Sequence, residues 1–149
     1  MRFVNRALPV VATLVAALVC GRPAPRAFQP EESLAMQVQY LEIVTPEVEA
    51  TCETLAKLHG VTFSEPVPEL GQARTAELEG GGLLGVRAPM RETEEPVVRP
   101  YVLVEDIEAA TKSAEAAGAV IALPPMELPG RGTFAIYILG GIQHGLWQL

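Results

Sequence analysis

The sequence predicts an α+β fold built from two β-α-β-β-β modules, one a duplicate of the other, paired around a central cavity. Three repeated landmarks predict it. Val48-Glu49-Ala50 recurs as Ile107-Glu108-Ala109, at an offset of 59. Pro68-Glu69-Leu70 recurs as Met126-Glu127-Leu128, at an offset of 58. Gly80-Gly81-x-x-x-Gly85-Val86 recurs as Gly140-Gly141-x-x-x-Gly145-Leu146, at an offset of 60. Two copies are too few for a solenoid, which stacks at least three. They read as a duplicated unit, and the residues facing the space between its halves are the candidates for function.

The elements follow in order. Gln37–Val44 is β-rich and reads as the first strand. Thr45 is placed to cap the next helix, Pro46 suits its first position, and Glu47 favours its positive end. Val48, Cys52, Leu55 and Ala56 form an apolar face running through to Leu58, and Gly60 stops the helix. Residues 61–63, 73–78 and 83–88 read as three further strands. Gly71 and a hairpin turn at Gly80-Gly81-Gly82 separate them. Residues 89–97 carry Glu92, Glu94 and Glu95 and read as a charged linker between the modules, which span about 37–88 and 98–149. In the second copy 99–104 is a strand and Asp106 caps a helix with Ile107, Ala110, Ala114 and Ala117 on one face. Gly118 ends that helix, and 120–123, 133–139 and 143–149 are the closing strands.

Composition narrows the function. The chain has 149 residues, enough for one domain with a core, and 49% are hydrophobic. Net charge is −7, and residues 36–149 alone hold 7 basic against 16 acidic side chains. A body so acidic repels phosphate backbones and shows no basic stripe, so nucleic-acid binding and docking on anionic membranes are excluded. Residues 1–35 differ: four Arg, two acids, and an uncharged run of 13 residues from Ala7 to Val19. As a helix that run spans about 20 Å, short of the roughly 30 Å of a bilayer core. It reads as an export signal, with Gly21 at the cut after Val19-Cys20, which sends the protein to the periplasm or outside. Cys20 as a lipidated cysteine, the Ala27-Phe28 pair as part of a plastid-type leader, and Met36 as the true start of a cytoplasmic protein are the alternatives. Cys52, the other cysteine, reads as a small core residue. There is no disulfide framework, phosphate loop, dinucleotide fingerprint or zinc-type spacing.

The landmarks, together with Tyr40-Leu41-Glu42-Ile43-Val44-Thr45-Pro46, Tyr101-Val102-Leu103-Val104-Glu105-Asp106-Ile107 and Gly140-Gly141-Ile142-Gln143-His144-Gly145-Leu146-Trp147-Gln148, resemble the vicinal oxygen chelate superfamily. That group includes glyoxalase I, extradiol dioxygenases and the fosfomycin- and bleomycin-resistance proteins. The resemblance covers about residues 37–149 and implies a glyoxalase/bleomycin-resistance-like fold. It also implies four metal-ligand positions, on the first and fourth strands of each half, usually His, Gln or Glu. By position these are Tyr40, Gly85, Arg99 and Gly145. Glycine offers no ligand and Arg has no lone pair to give. The expectation is therefore a member without metal or other cofactor, with a divalent metal held elsewhere as the alternative.

If those positions face inward, strand alternation turns Tyr40, Glu42, Leu83, Arg87, Arg99, Tyr101, Gln143 and Trp147 inward too. Aromatic walls with a few polar groups describe a small-molecule pocket, for which Tyr40, Glu42, Arg87, Arg99, Tyr101, Gln143 and Trp147 are the ligand-binding candidates. Glu42 reads either as a structural ion pair with Arg87 or Arg99 or, if desolvated before a ligand, as a general base. Arg99 suits an anionic group. Tyr101 and Trp147 read equally as core filler. His59 stabilises a helix end, and His144 falls on the helix side. Three functions remain open: a metal-independent small-molecule binder, a lyase or dioxygenase-type enzyme using a divalent metal or Glu42, and an interaction protein whose cavity is filled. Whether the chain is an enzyme stays undecided, and homodimerisation stays open.

Overall fold

The computed structural model describes residues 36–149. The leader-like reading of residues 1–35, including Cys20, lies outside the described residues. The rest forms one mixed seven-stranded sheet with two helices on its outer face.

The first module runs β1 (Val38–Val44), α1 (Val48–His59), a 3-10 turn at Pro68–Leu70, β2 (Arg74–Glu77) and β3 (Leu83–Arg87). The second runs β4 (Val97–Leu103), α2 (Ile107–Ala116), β5 (Val120–Leu128), β6 (Gly132–Leu139) and β7 (Ile142–Gln148). The sheet order is β2-β3-β1-β4-β7-β6-β5. In each half the first strand lies parallel to the last, β1 with β3 and β4 with β7. The halves meet where β1 and β4 pair antiparallel, Tyr40 opposite Tyr101, Leu41 opposite Pro100 and Glu42 opposite Arg99. The sequence repeat, taken at its offset of 59, exchanges the first and last of these pairs and maps Leu41 onto Pro100. The pseudo-twofold axis therefore passes through Leu41 and Pro100, and sequence repeat and strand register agree.

Several expectations are corrected. Residues 61–63 form no strand. β2 has only four residues and Pro66 closely follows residues 61–63, so the segment bonds to β2 through Ser64 alone, whose N–H donates to the Thr75 carbonyl at 2.8 Å. The first half is thus one strand short. Thr45 does not cap α1; its Oγ1 accepts from the Glu47 N–H at 3.1 Å, and Glu47 holds the cap position with no side-chain bond. Leu58 is 71% exposed rather than part of the apolar face. β5 runs to Leu128, well past residue 123. It tolerates Pro124-Pro125 because it is the sheet edge, and its pairing with β6 breaks register between Leu123 and Met126. Consequently the repeated Pro-Glu-Leu and Met-Glu-Leu landmarks differ in conformation, a 3-10 turn against a strand end. Their leucines keep one role: Leu70 and Leu128 both pack on the inner aromatic cluster.

Other readings stand. Asp106 caps α2, its Oδ1 accepting from the Ala109 N–H at 2.9 Å. The Gln148 side chain accepts from the Ile107 N–H at 2.9 Å, which ties α2 to β7. Gly60 adopts the left-handed conformation past α1 at φ +68°. Leu146, Ala135 and Ile107 pack between sheet and α2, and His144 on the same face stacks on Tyr137 at 5.0 Å. Cys52 is buried under α1, which holds its thiol above its ordinary range. The opposite face of the sheet, clear of both helices, carries the site.

Candidate functional site

Alternation sets the inner face. On β1 it presents Tyr40 and Glu42, on β3 Gly85 and Arg87, on β4 Arg99 and Tyr101, and on β7 Gln143, Gly145 and Trp147. Tyr40, Glu42, Arg87, Arg99, Tyr101, Gln143 and Trp147 all line an open cleft of about 660 Å³. Leu83 does not line it; it packs behind the aromatic cluster.

The two glycines have a steric cause. A Cβ on Gly85 would overlap the Tyr40 ring, and one on Gly145 would overlap the Tyr101 ring. The rings cross from their own strands to cover neighbouring backbone. They continue into a cluster with Trp147 and Phe134. Tyr40 and Tyr101 centroids lie 5.5 Å apart, and Tyr101 meets Trp147 edge-on at 5.8 Å. Phe134 sits opposite Trp147 in the β6–β7 register, 6.1 Å away. Contacts of this kind add about 0.5–1.5 kcal/mol per pair beyond burial. The Trp147 indole N–H donates to the Arg131 carbonyl at 3.0 Å.

Beside the rings lies a buried charge network. Arg87 Nε donates to Glu42 Oε1 at 2.6 Å, while Arg99 Nη1 and the Tyr101 hydroxyl, the latter at 3.0 Å, donate to Oε2. Glu42, Arg87 and Arg99 are each about 5% exposed or less. Arg87 also grips Glu94 with both terminal nitrogens, at 2.9 and 2.7 Å. Glu94 accepts from the Met90 N–H at 2.7 Å as well, which folds the inter-module segment back on the site. Arg99 turns its Nε and Nη2 onto Gln143 Oε1, with the Nε bond at 2.9 Å.

The titration directions follow. The hydrogen bonds from Arg87 hold the Glu94 carboxyl down at about 2, against the opposing effect of burial. Burial opposes the charge on Arg87, but its bonds to Glu94 and Glu42 outweigh that and keep it firmly protonated. Burial first, and the Glu42 charge second, push both Tyr40 and Tyr101 well above the ordinary phenol range. The Tyr40 hydroxyl is wholly buried and has no hydrogen-bond partner among the described residues.

Strand alternation brought seven candidates to one face, and it missed others. Glu94 sits in a segment read as a solvated linker, and nothing local marks it as the partner of Arg87. Phe134 was legible from the β6 alternation, which turns it toward the same side as Ile136. Met90 and Met126 stand at the cleft mouth, 64% and 45% exposed. Arg99 was expected to hold an anion, but its charge is already met by Glu42.

No protein-family model and no curated protein matches this sequence. Solved structures do. A hypothetical protein of Bacillus halodurans aligns with a TM-score of 0.62 at 11% identity, covering 77% of this chain and 95% of that one. Methylmalonyl-CoA epimerase of Mycobacterium tuberculosis aligns at 0.57 and 14% identity, over 74% and 86%. A variant of the Streptomyces coelicolor methylmalonyl-CoA epimerase in complex with 2-nitronate-propionyl-CoA aligns at 0.55 and 16%, over 75% and 96%. Likeness at such identities is one of fold. The chain has the paired-module fold of these epimerases, the fold of the vicinal oxygen chelate superfamily.

Proposed function

We propose that this protein binds an organic small molecule in the inner cleft without a resident metal. One observation carries the reading: aromatic rings and a paired guanidinium occupy the four positions from which this fold holds metals. Tyr40 covers Gly85, Tyr101 covers Gly145, and Arg99 is bound to Glu42. The residues present do not fit a divalent ion. The Tyr40 phenol stays protonated far above neutrality, and both oxygens of the nearby Glu42 already accept from cations. Among the described residues no three His, Cys, Asp or Glu side chains converge. The rings instead provide an apolar wall beside a short polar strip, the arrangement of small-molecule sites.

The acid–base alternative gains less from the geometry. A general base needs a lone pair turned to its substrate. Glu42 directs Oε1 to Arg87 and Oε2 to Arg99 and Tyr101, which suits an ion pair that ties β1, β3 and β4 together.

The test uses the full chain purified without chelator. Transition metal is measured by mass spectrometry, and a broad compound library is screened by thermal shift with and without EDTA. The expected result is metal far below stoichiometry and ligand-induced stabilisation that EDTA leaves intact. Near-stoichiometric metal, or stabilisation abolished by EDTA, would overturn metal independence. A library without a single stabilising compound would overturn the binding reading.

A further inference from the structure

We infer that the cleft selects a neutral, planar ligand carrying a carbonyl-type acceptor, held by the Gln143 amide with its ring against Trp147 and Tyr101. The inference rests on the reading of the cleft as a small-molecule site.

Charge comes first. The ionic groups of the floor, buried Glu42, Arg87 and Arg99 with half-buried Glu94, balance to zero, and each is already in an ion pair. Over the whole lining, four carboxylates face three guanidiniums, since exposed Glu69, Glu95 and Arg91 stand at the rim. An anionic ligand meets no unpaired buried cation and a net negative surround. A cationic ligand meets no unpaired buried carboxylate. Burying either charge without a partner is strongly unfavourable. A neutral ligand carries no such penalty.

Hydrogen-bond polarity comes second. Gln143 lines the cleft half-buried, and its Oε1 is committed to two N–H groups of Arg99. Arg99 has donors only, so the amide cannot be flipped. The Nε2 end, which has no partner among the described residues, is the end left to meet a ligand. A carbonyl oxygen answers a group that can only donate.

Shape comes third. Gln143, Gly145 and Trp147 follow one another along the inner face of β7, spanning about 13 Å between the outer two. The Tyr101 ring fills the gap above Gly145, so amide, ring and indole form one continuous strip. Planar rings match that strip, and Met90 and Met126 at the mouth are flexible enough to close on rings of differing outline.

Trp147 is the only tryptophan in the chain, so its fluorescence reports the cleft directly. The full chain is titrated with coumarin (neutral, bicyclic, one carbonyl), naphthalene (no acceptor) and 2-naphthoate (anionic), with calorimetry supplying each Kd. Coumarin is expected to bind about tenfold tighter than naphthalene, the worth of one hydrogen bond to an otherwise unpaired donor. 2-Naphthoate is expected to bind more weakly than either. Gln143→Glu keeps the acceptor for Arg99 but removes the donor, and should bring coumarin down to the naphthalene value or below. Equal affinities for coumarin and naphthalene, or tightest binding of 2-naphthoate, would overturn this inference while leaving a small-molecule site. No response of Trp147 to any of the three, alongside library compounds that do stabilise the protein, would also overturn it. No response to any compound at all would remove the underlying reading with it. The three probes are compared on the unaltered protein, so the result stands even if the variant fails to fold.

Discussion

Glu42 is where a structural role and a catalytic role separate most sharply, and Glu42→Gln tests them. The carboxylate is buried between two guanidiniums, bonded at 2.6 Å to Arg87 Nε and also to Arg99 Nη1. The two arginines differ in what they keep. Arg87 retains Glu94, at 2.7 Å. Arg99 retains only Gln143 and the Tyr101 hydroxyl, both neutral. The amide therefore leaves one cation buried without a counter-charge. Breaking a buried pair in this way costs about 3–5 kcal/mol. For a domain of this size that lowers Tm by roughly 10–20 °C. The assay is urea and thermal unfolding followed by circular dichroism. Glu42→Gln combined with Gln143→Glu returns a carboxylate to Arg99 from its other side and should recover a large part of the loss. A change below about 1 kcal/mol, the size of an exposed pair, would refute the reasoning. So would a double variant no more stable than Glu42→Gln alone.

Glu94 predicts a pH dependence. Its folded-state pKa of about 2 lies below the ordinary 4.5, so its stabilisation is complete above pH 4.5 and is lost as pH falls toward 2. Urea midpoints should fall across that window by an amount equivalent to roughly 2–3 kcal/mol, and Glu94→Gln should flatten the fall; an equal slope in the variant counts against the Arg87–Glu94 latch. Tyr40 and Tyr101 should stay protonated while the fold lasts, so an absorbance titration at pH 11 showing all three tyrosines ionised in folded protein would contradict their burial. Gly145→Ala forces the Tyr101 ring off the backbone, an overpacking expected to cost about 1–3 kcal/mol, with a changed near-ultraviolet dichroism; an unchanged spectrum and midpoint would show that the ring does not lie there. Asp106→Ala removes the α2 cap and should cost about 1 kcal/mol, read from the same urea curves; no loss would mean the Ala109 N–H finds another acceptor.

What the sequence by itself determined was local or periodic. The internal repeat predicted the pairing of two modules, and the β1–β4 register centred on Leu41 and Pro100 obeys it. Alternation with period two turned Glu42, Arg99, Tyr101 and Trp147 to one face, because a strand has no other way to place its side chains. Asp106 announced its helix because a cap acts over three residues. Glycine at positions 85 and 145 was visible as a matched pair in the repeat. Only the tertiary structure decided its cause, the two tyrosine rings lying on the backbone there. It alone decided that Glu42 is clasped from both sides by groups 45, 57 and 59 residues distant. It alone brought Glu94 out of a charged linker onto Arg87, and turned the Gln143 amide by tying its oxygen to Arg99. Strand 61–63 failed for the same reason in reverse: its residues suit a strand, but a strand needs a partner, and β2 was too short to supply one. Pairing of charges and orientation of amides depend on which side chains meet across the sheet. Such meetings are set by packing, and no window of sequence contains them.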